Sequence, residues 1–69
     1  MEFQLEKNEY IELNRLLKLL GLVESGGQAN MFITEGQVIV NGKVEFRKRN
    51  KLREGDIVSF MEQEVKVIR

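Results

Sequence analysis

The chain has 69 residues, enough for one domain spanning residues 1–69, and its 11 basic and 11 acidic side chains give a formal net charge of zero. It has neither cysteine nor histidine, which excludes disulfides and removes the ligands that a structural zinc site prefers, so we expect no metal or other cofactor. No apolar run approaches the roughly 20 residues that span a bilayer, and the N-terminus lacks the pattern of a signal peptide. We therefore expect a soluble cytoplasmic protein.

The N-terminal third predicts a strand followed by a helix. Alternating apolar and polar residues over positions 2–6 are typical of a short half-buried strand. Asn8 offers an N-cap and Gly21 a left-handed residue after the last turn, so a helix is expected over about residues 9–20. Its leucines recur at helical spacing with Tyr10 on the same side. Three polar residues fall on the opposite face: Asn14, Arg15 and Lys18.

A second helix is predicted to begin after Ser25 and to end at Gly36. Gln28 lies three residues after Ser25, which is the spacing of a capping box. The apolar face of this helix consists of Ala29, Phe32 and Ile33. The two short helices are therefore expected to form a helical hairpin or corner.

From residue 37 onwards the pattern changes to that of a sheet. Residues 38–40 are β-branched and lead into Asn41-Gly42, the commonest two-residue type I′ hairpin turn. A two-residue loop places the valines at 38 and 40 on the face that carries Lys43 and Glu45. Either these valines pack elsewhere or the loop is not a simple turn, and the sequence leaves both alternatives open.

Residues 47–53 form a basic run, in which five of seven side chains are cationic. Residues 37–53 carry six basic and one acidic side chain, whereas the rest of the chain carries five basic and ten acidic ones. The basic run lacks periodic apolar residues and is predicted to be a loop. Such a concentration of charge attracts a polyanion, although a solvated loop is the simpler alternative.

The remainder of the chain predicts a turn and two strands. Gly55-Asp56 indicates the turn, and residues 57–61 and 65–68 are the predicted strands. The order is then one strand, two helices and about four strands, which is typical of a small α+β domain. If the helices pack on the hairpin, Arg15, Lys18 and Lys43 could share one surface with the basic run.

The pair Gly26-Gly27 lies in the first turn of the second helix, where glycine is unfavourable for helix formation. One interpretation is that the pair leaves the helix amides uncovered for a phosphate. The other is close packing against the first helix or the hairpin. Phe46 has two interpretations as well, since it could stack on a base or pack into the core.

An enzyme is not expected, because the usual general base and the best thiol nucleophile are missing. Ser25 is explained as a helix cap and Asp56 as a turn residue. The glutamates show no pairing by spacing. The residues favour recognition of nucleic-acid shape and backbone over a base code.

The order and spacing of several residues resemble a known family, the S-four RNA-binding domain, named after the fourth protein of the small ribosomal subunit. The similarity extends over about two-thirds of the chain and rests on Leu13-Asn14, Leu17, Leu20-Gly21-Leu22, Ser25, Ala29, Ile33, Gly36, Val38, Val40-Asn41-Gly42, Gly55-Asp56 and Val58. The glycine-rich stretch after Ser25 and the basic run are most similar to short, stand-alone bacterial members. Two positions differ, because many members have arginine where this chain has Glu12 and Gly26.

The resemblance implies an α+β fold, with a two-helix hairpin packed on a small, mostly antiparallel sheet of about four to five short strands. It also implies a structured RNA partner, ribosomal or transfer RNA, with a role in ribosome assembly or RNA chaperoning and no small-molecule substrate. The alternative is a protein–protein interaction module that docks through its polarised charge. The candidate RNA-binding residues are Arg15, Lys18, Ser25, Gly26, Gly27, Lys43, Arg47, Lys48, Arg49, Lys51 and Arg53.

Overall fold

The computed structural model describes residues 1–69 and contains two helices, a five-stranded sheet and a separate two-stranded ladder. The elements are β1 (Glu2–Gln4), β2 (Ile11–Glu12), α1 (Leu13–Leu19), α2 (Gly26–Thr34), β3 (Ile39–Val40), β4 (Lys43–Val44), β5 (Lys51–Leu52), β6 (Ile57–Phe60) and β7 (Gln63–Ile68). The sheet has the order β1-β7-β6-β3-β4, and β2 pairs with β5 in a separate ladder. Only the β1–β7 pair is parallel. This architecture confirms the predicted α+β class.

The core consists of 14 buried apolar side chains, and no buried side chain is polar. Leu13, Leu16 and Leu17 contribute from α1, and Ala29 and Ile33 from α2. The valines of β6 and β7 meet them from the sheet. Burial of this apolar surface is the main favourable term in folding. Neither helix has the length and apolar character required to cross a membrane.

The first helix is shorter than predicted, because α1 begins at Leu13 and not near residue 9. Ile11 and Glu12 pair instead with Leu52 and Lys51 in the β2–β5 ladder. Asn8 is therefore not the N-cap. That position is occupied by Glu12, whose side chain accepts no capping hydrogen bond. The prediction was wrong here because a non-local strand pairing overrides local helix propensity.

Both predicted glycine ends are confirmed by hydrogen bonds. Gly21 and Gly36 have φ of +72° and +80°. After α1, the Gly21 amide donates to the Lys18 carbonyl and the Leu22 amide to the Leu17 carbonyl. The same pair of bonds recurs after α2. Together they form the Schellman motif, which explains why glycine follows each helix.

A capping box at the N-terminus of α2 predicts two hydrogen bonds. One of them is present, and the other has a different donor. The Ser25 hydroxyl accepts from the Gln28 amide at 3.1 Å. The Gln28 side chain accepts from the Glu24 amide at 2.6 Å, one residue before the position expected in a standard capping box. The α2 start at Gly26 is therefore defined by its local sequence.

The Asn41-Gly42 hairpin is a simple two-residue turn, because Val40 pairs with Lys43 and both turn residues have positive φ. The open question about the valines is resolved by burial. Val38 lies in the core, whereas Lys43 is exposed because β4 is a two-residue strand at the edge of the sheet. A similar turn at Met61-Glu62 explains why β6 ends at Phe60 and β7 begins at Gln63.

The basic run is not entirely a loop, which corrects the sequence prediction. Lys51 and Leu52 form β5, and the Leu52 side chain is fully buried in the core. One apolar residue among cations shows no period, so the sequence could not reveal this anchor. The basic run is consequently anchored to the core near its C-terminal end.

Candidate nucleic-acid interface

Backbone hydrogen bonds join the basic run to the start of α1. The amides of Leu13 and Asn14 donate to the carbonyls of Asn50 and Lys48, at 2.9 and 3.0 Å. These amides lack partners within the helix, so the basic run itself satisfies them. The side chains that follow the hairpin are therefore held beside the polar face of α1.

A concavity of about 210 Å³ lies where α1, α2 and the basic run meet. Arg15 and Lys18 line it from α1, Gly26 from α2 and Arg49 from the basic run; Glu12 and Asn14 complete the lining. The Asn14 side chain also donates to the Asn30 side chain of α2 at 3.0 Å, which fixes the two helices. Three cations thus share a concavity with Gly26, the first residue of α2.

This concavity adjoins two further basic ones. Arg49 also lines a concavity of about 390 Å³ together with Arg47, Asn50 and Lys51. The last three of these line a third, of about 540 Å³, which reaches Lys43 on the hairpin. We call the six cations along the three concavities the basic strip: Arg15, Lys18, Lys43, Arg47, Arg49 and Lys51.

One cation of the basic strip is paired within the protein. The Arg47 guanidinium donates to both carboxylate oxygens of Glu45, at 2.9 and 3.0 Å. This hydrogen bonding lowers the pKa of Glu45 and raises the pKa of Arg47. The pair therefore stays charged at neutral pH. Arg47 contributes less unbalanced charge than its neighbours in the basic strip.

A polar network connects the hairpin turn to the turn after the basic run. The Asn41 side chain donates to Asp56 at 3.0 Å and accepts from the Ile57 amide at 2.9 Å. The other Asp56 oxygen accepts from the Arg53 amide at 2.7 Å. Asn41 and Asp56 thus have structural roles, because they join the hairpin turn to the turn that follows the basic run.

Comparison with known proteins identifies the family. Residues 3–68 match the family model of the S4 domain. The chain belongs to the S4 domain family. The matched residues include both helices and all of the strands, apart from the first residue of β1. This match confirms the resemblance stated above.

Two relatives are similar to this S4 domain in sequence, and one solved structure is similar to it in fold. YbcJ of Escherichia coli (strain K12) is 52% identical over 66 residues, which are 96% of this chain and 94% of YbcJ. RlbA of Bacillus subtilis (strain 168), whose name designates a probable ribosome maturation protein, is 42% identical over 75% of this chain and 73% of its own. The solution structure of YbcJ superposes with a TM-score of 0.75 at 50% identity, covering 99% of this chain and 86% of the other. Its description reports a motif involved in RNA binding.

The predicted site residues of this S4 domain do not all lie on the basic strip. Lys48 and Arg53 line none of its concavities, although the Lys48 carbonyl accepts from α1 and Arg53 lies over Tyr10. Ser25 caps α2, and Gly27 lies one residue beyond Gly26. Their RNA-binding roles stay predictions, as do those of the six cations.

Close packing does not explain the two glycines. A Cβ placed on Gly26 would meet nothing within 4 Å, and one on Gly27 would meet only the Ser25 hydroxyl, at 3.8 Å. The amides of both residues donate no hydrogen bond within the protein. The close-packing interpretation was therefore wrong, and the uncovered-amide interpretation stays a prediction.

Core packing of Phe46 was also a wrong interpretation. Its side chain is 60% exposed, and one edge of its ring faces Gly36, where an added Cβ would lie 3.2 Å away. Base stacking by Phe46 stays a prediction.

Three residues of this surface were missed from the sequence. Asn14 and Asn50 line the concavities, and Tyr10 contacts Lys51 and Arg53. Tyr10 was assigned to the apolar side of a helix, but it precedes β2 and is 38% exposed. Only the β2–β5 pairing reveals its position.

No group of three or more carboxylates is arranged to hold a metal ion.

Proposed function

We propose that this chain binds structured RNA through the basic strip, chiefly by contacts to the phosphate backbone. The observation that carries the proposal is that six cations line three adjoining concavities from α1 to the hairpin, with Gly26 at the start of α2 lining the first of them. Arginine forks and a positive helix terminus both suit phosphate oxygens. Cations spaced along adjoining concavities suit the successive phosphates of a folded RNA backbone better than they suit a single anion.

The relatives support ribosomal RNA as the partner class. The name of RlbA points to ribosome maturation, and the description of the YbcJ structure to RNA binding. A small domain with a phosphate-binding surface suits a role in assembly or chaperoning of RNA in the cytoplasm. We propose that it acts without catalysis, since the chain has no histidine or cysteine.

Affinity capture with and without ribonuclease tests the proposed function. The tagged protein should recover structured RNA from a cell extract, and partners should disappear after nuclease treatment. A variant in which Arg15 and Arg49 are glutamine should recover little RNA, because two phosphate contacts are removed. Protein partners that survive nuclease treatment, with no RNA recovered before it, would instead support the protein-interaction alternative.

Substitutions at Gly27 test the uncovered amides. Gly27→Ala should change the RNA Kd less than about twofold, since its Cβ fits, and should raise the free energy of unfolding by about 0.5–1 kcal/mol. Gly27→Glu should also stabilise the helix start, yet its carboxylate repels phosphate, so the Kd should rise several-fold. Titrations with a folded RNA and urea unfolding measure both quantities. Equal affinity losses in the two variants would contradict a phosphate contact at this position.

A further inference from the structure

An aromatic ring lies beside the basic strip with cations against it. The β2–β5 register pairs Ile11 with Leu52 and Glu12 with Lys51, and its continuation places Tyr10 opposite Arg53. Lys51 Nζ lies 5.0 Å from the centroid of the Tyr10 ring, and the Arg53 guanidinium carbon 5.6 Å. Buried Ile11 and Leu52 take the inner face of this ladder. The outer face therefore carries the Tyr10 ring, the Glu12 carboxylate and two cations, Lys51 and Arg53.

Tyr10 also lines a cleft of about 430 Å³ between β1, β2 and α1. We call it the Tyr10 cleft. Its apolar lining includes Ile11 and Leu19, and its polar lining includes Glu9, Glu12 and Arg15. Glu12 and Arg15 line the concavity at the start of α2 as well. The Tyr10 cleft is therefore continuous with the basic strip.

We propose that the Tyr10 cleft receives one unpaired nucleobase of the bound RNA, with a preference for guanine. This inference rests on the proposed function. A flat base stacks on an aromatic ring and covers apolar side chains, while neighbouring cations hold its phosphates. Arg15 lines the Tyr10 cleft itself, and Lys51 and Arg53 lie over the Tyr10 ring, so three cations are near the proposed base.

The preference for guanine follows from the carboxylates of the Tyr10 cleft. Glu9 and Glu12 are hydrogen-bond acceptors when ionised. Guanine presents a ring N–H and an amino group side by side, which match a carboxylate. Uracil presents a single N–H between two carbonyl oxygens that a carboxylate repels. A base within a duplex has both faces covered, so the site requires a bulge, a loop or a strand end.

Three RNA hairpins with one common stem test this inference: one fully paired, one with a bulged guanine and one with a bulged uracil. Wild-type protein should bind the guanine bulge about 5- to 100-fold more tightly than the paired hairpin, the range expected for stacking one base. Tyr10→Leu should remove most of this ratio, whereas Tyr10→Phe should retain it because the ring remains. Thermal unfolding of each variant verifies that it is folded.

The carboxylates are tested by the ratio of guanine-bulge to uracil-bulge affinity. The double variant Glu9→Gln/Glu12→Gln should lose that ratio, even if removal of two negative charges raises affinity for every hairpin. Glu64→Gln, an exposed carboxylate on β7, is the matched control and should leave the ratio unchanged. Equal affinity of the wild type for all three hairpins would overturn the guanine site and leave the proposed function intact. Failure to bind any hairpin in low salt would overturn both.

Discussion

The double variant Arg15→Gln/Arg49→Gln should bind structured RNA about 5- to 30-fold more weakly than the wild type in low salt. The two side chains come from α1 and the basic run and line the same concavity beside Gly26. We assign each phosphate contact about 0.5–1 kcal/mol, as for exposed ion pairs. Loss of two contacts should also make the slope of log K against log salt shallower by about 1.5–2. Fluorescence anisotropy over a series of salt concentrations measures both quantities.

Lys7→Gln/Lys66→Gln is the matched control for this variant. It removes the same charge, but neither lysine lines a concavity of the basic strip. Its affinity and salt slope should stay close to those of the wild type. If both variants weaken binding equally, attraction by overall charge would explain the affinity, and the assignment of the basic strip as the contact surface would be wrong.

Leu52→Ala should reduce the free energy of unfolding by about 2–5 kcal/mol, the range for truncating a buried leucine. Leu52 is fully buried, although cations flank it on both sides. A chain of this size has a total free energy of unfolding of roughly 3–10 kcal/mol. This one side chain therefore contributes a large share of the total stability. Urea unfolding monitored by circular dichroism measures the change. RNA affinity should fall in parallel at temperatures where the variant is partly unfolded.

Lys51→Ala tests whether burial causes the loss of stability. Lys51 is the exposed neighbour on the same strand, so its truncation should change the unfolding free energy by less than about 0.5 kcal/mol. RNA affinity should fall in this variant while stability is retained. A loss below about 1 kcal/mol in Leu52→Ala would show that the basic run does not depend on this anchor.

Local chemistry accounts for the elements that were predicted correctly. The Ser25 hydroxyl caps α2, Gly21 and Gly36 take left-handed conformations, and Asn41-Gly42 closes a tight hairpin. Each depends on residues within a few positions of one another, so a single sequence reveals it. The order of the other elements then follows, without β2 and β5, and with it the α+β class.

The incorrect predictions concern segments that are far apart in the sequence but paired in the structure. In the sequence, Ile11 and Glu12 resemble the first turn of a helix. In the structure they pair with Lys51 and Leu52, which lie about 40 residues further along the chain. The same pairing converts part of the basic run into a strand and brings Tyr10 against two cations. No periodicity within either segment encodes the other.

The amino-acid sequence alone determined the class of the fold, the glycines that end both helices, the serine that caps the second, and the concentration of positive charge after the hairpin. Tertiary structure alone decided that Arg15 and Lys18 lie beside Arg49, that Arg47 is paired with Glu45, and that Leu52 is buried. The physical reason is the distance along the chain between the residues that interact. Caps and turns are set by bonds between near neighbours, whereas a surface is assembled by strand pairing and burial across the whole chain.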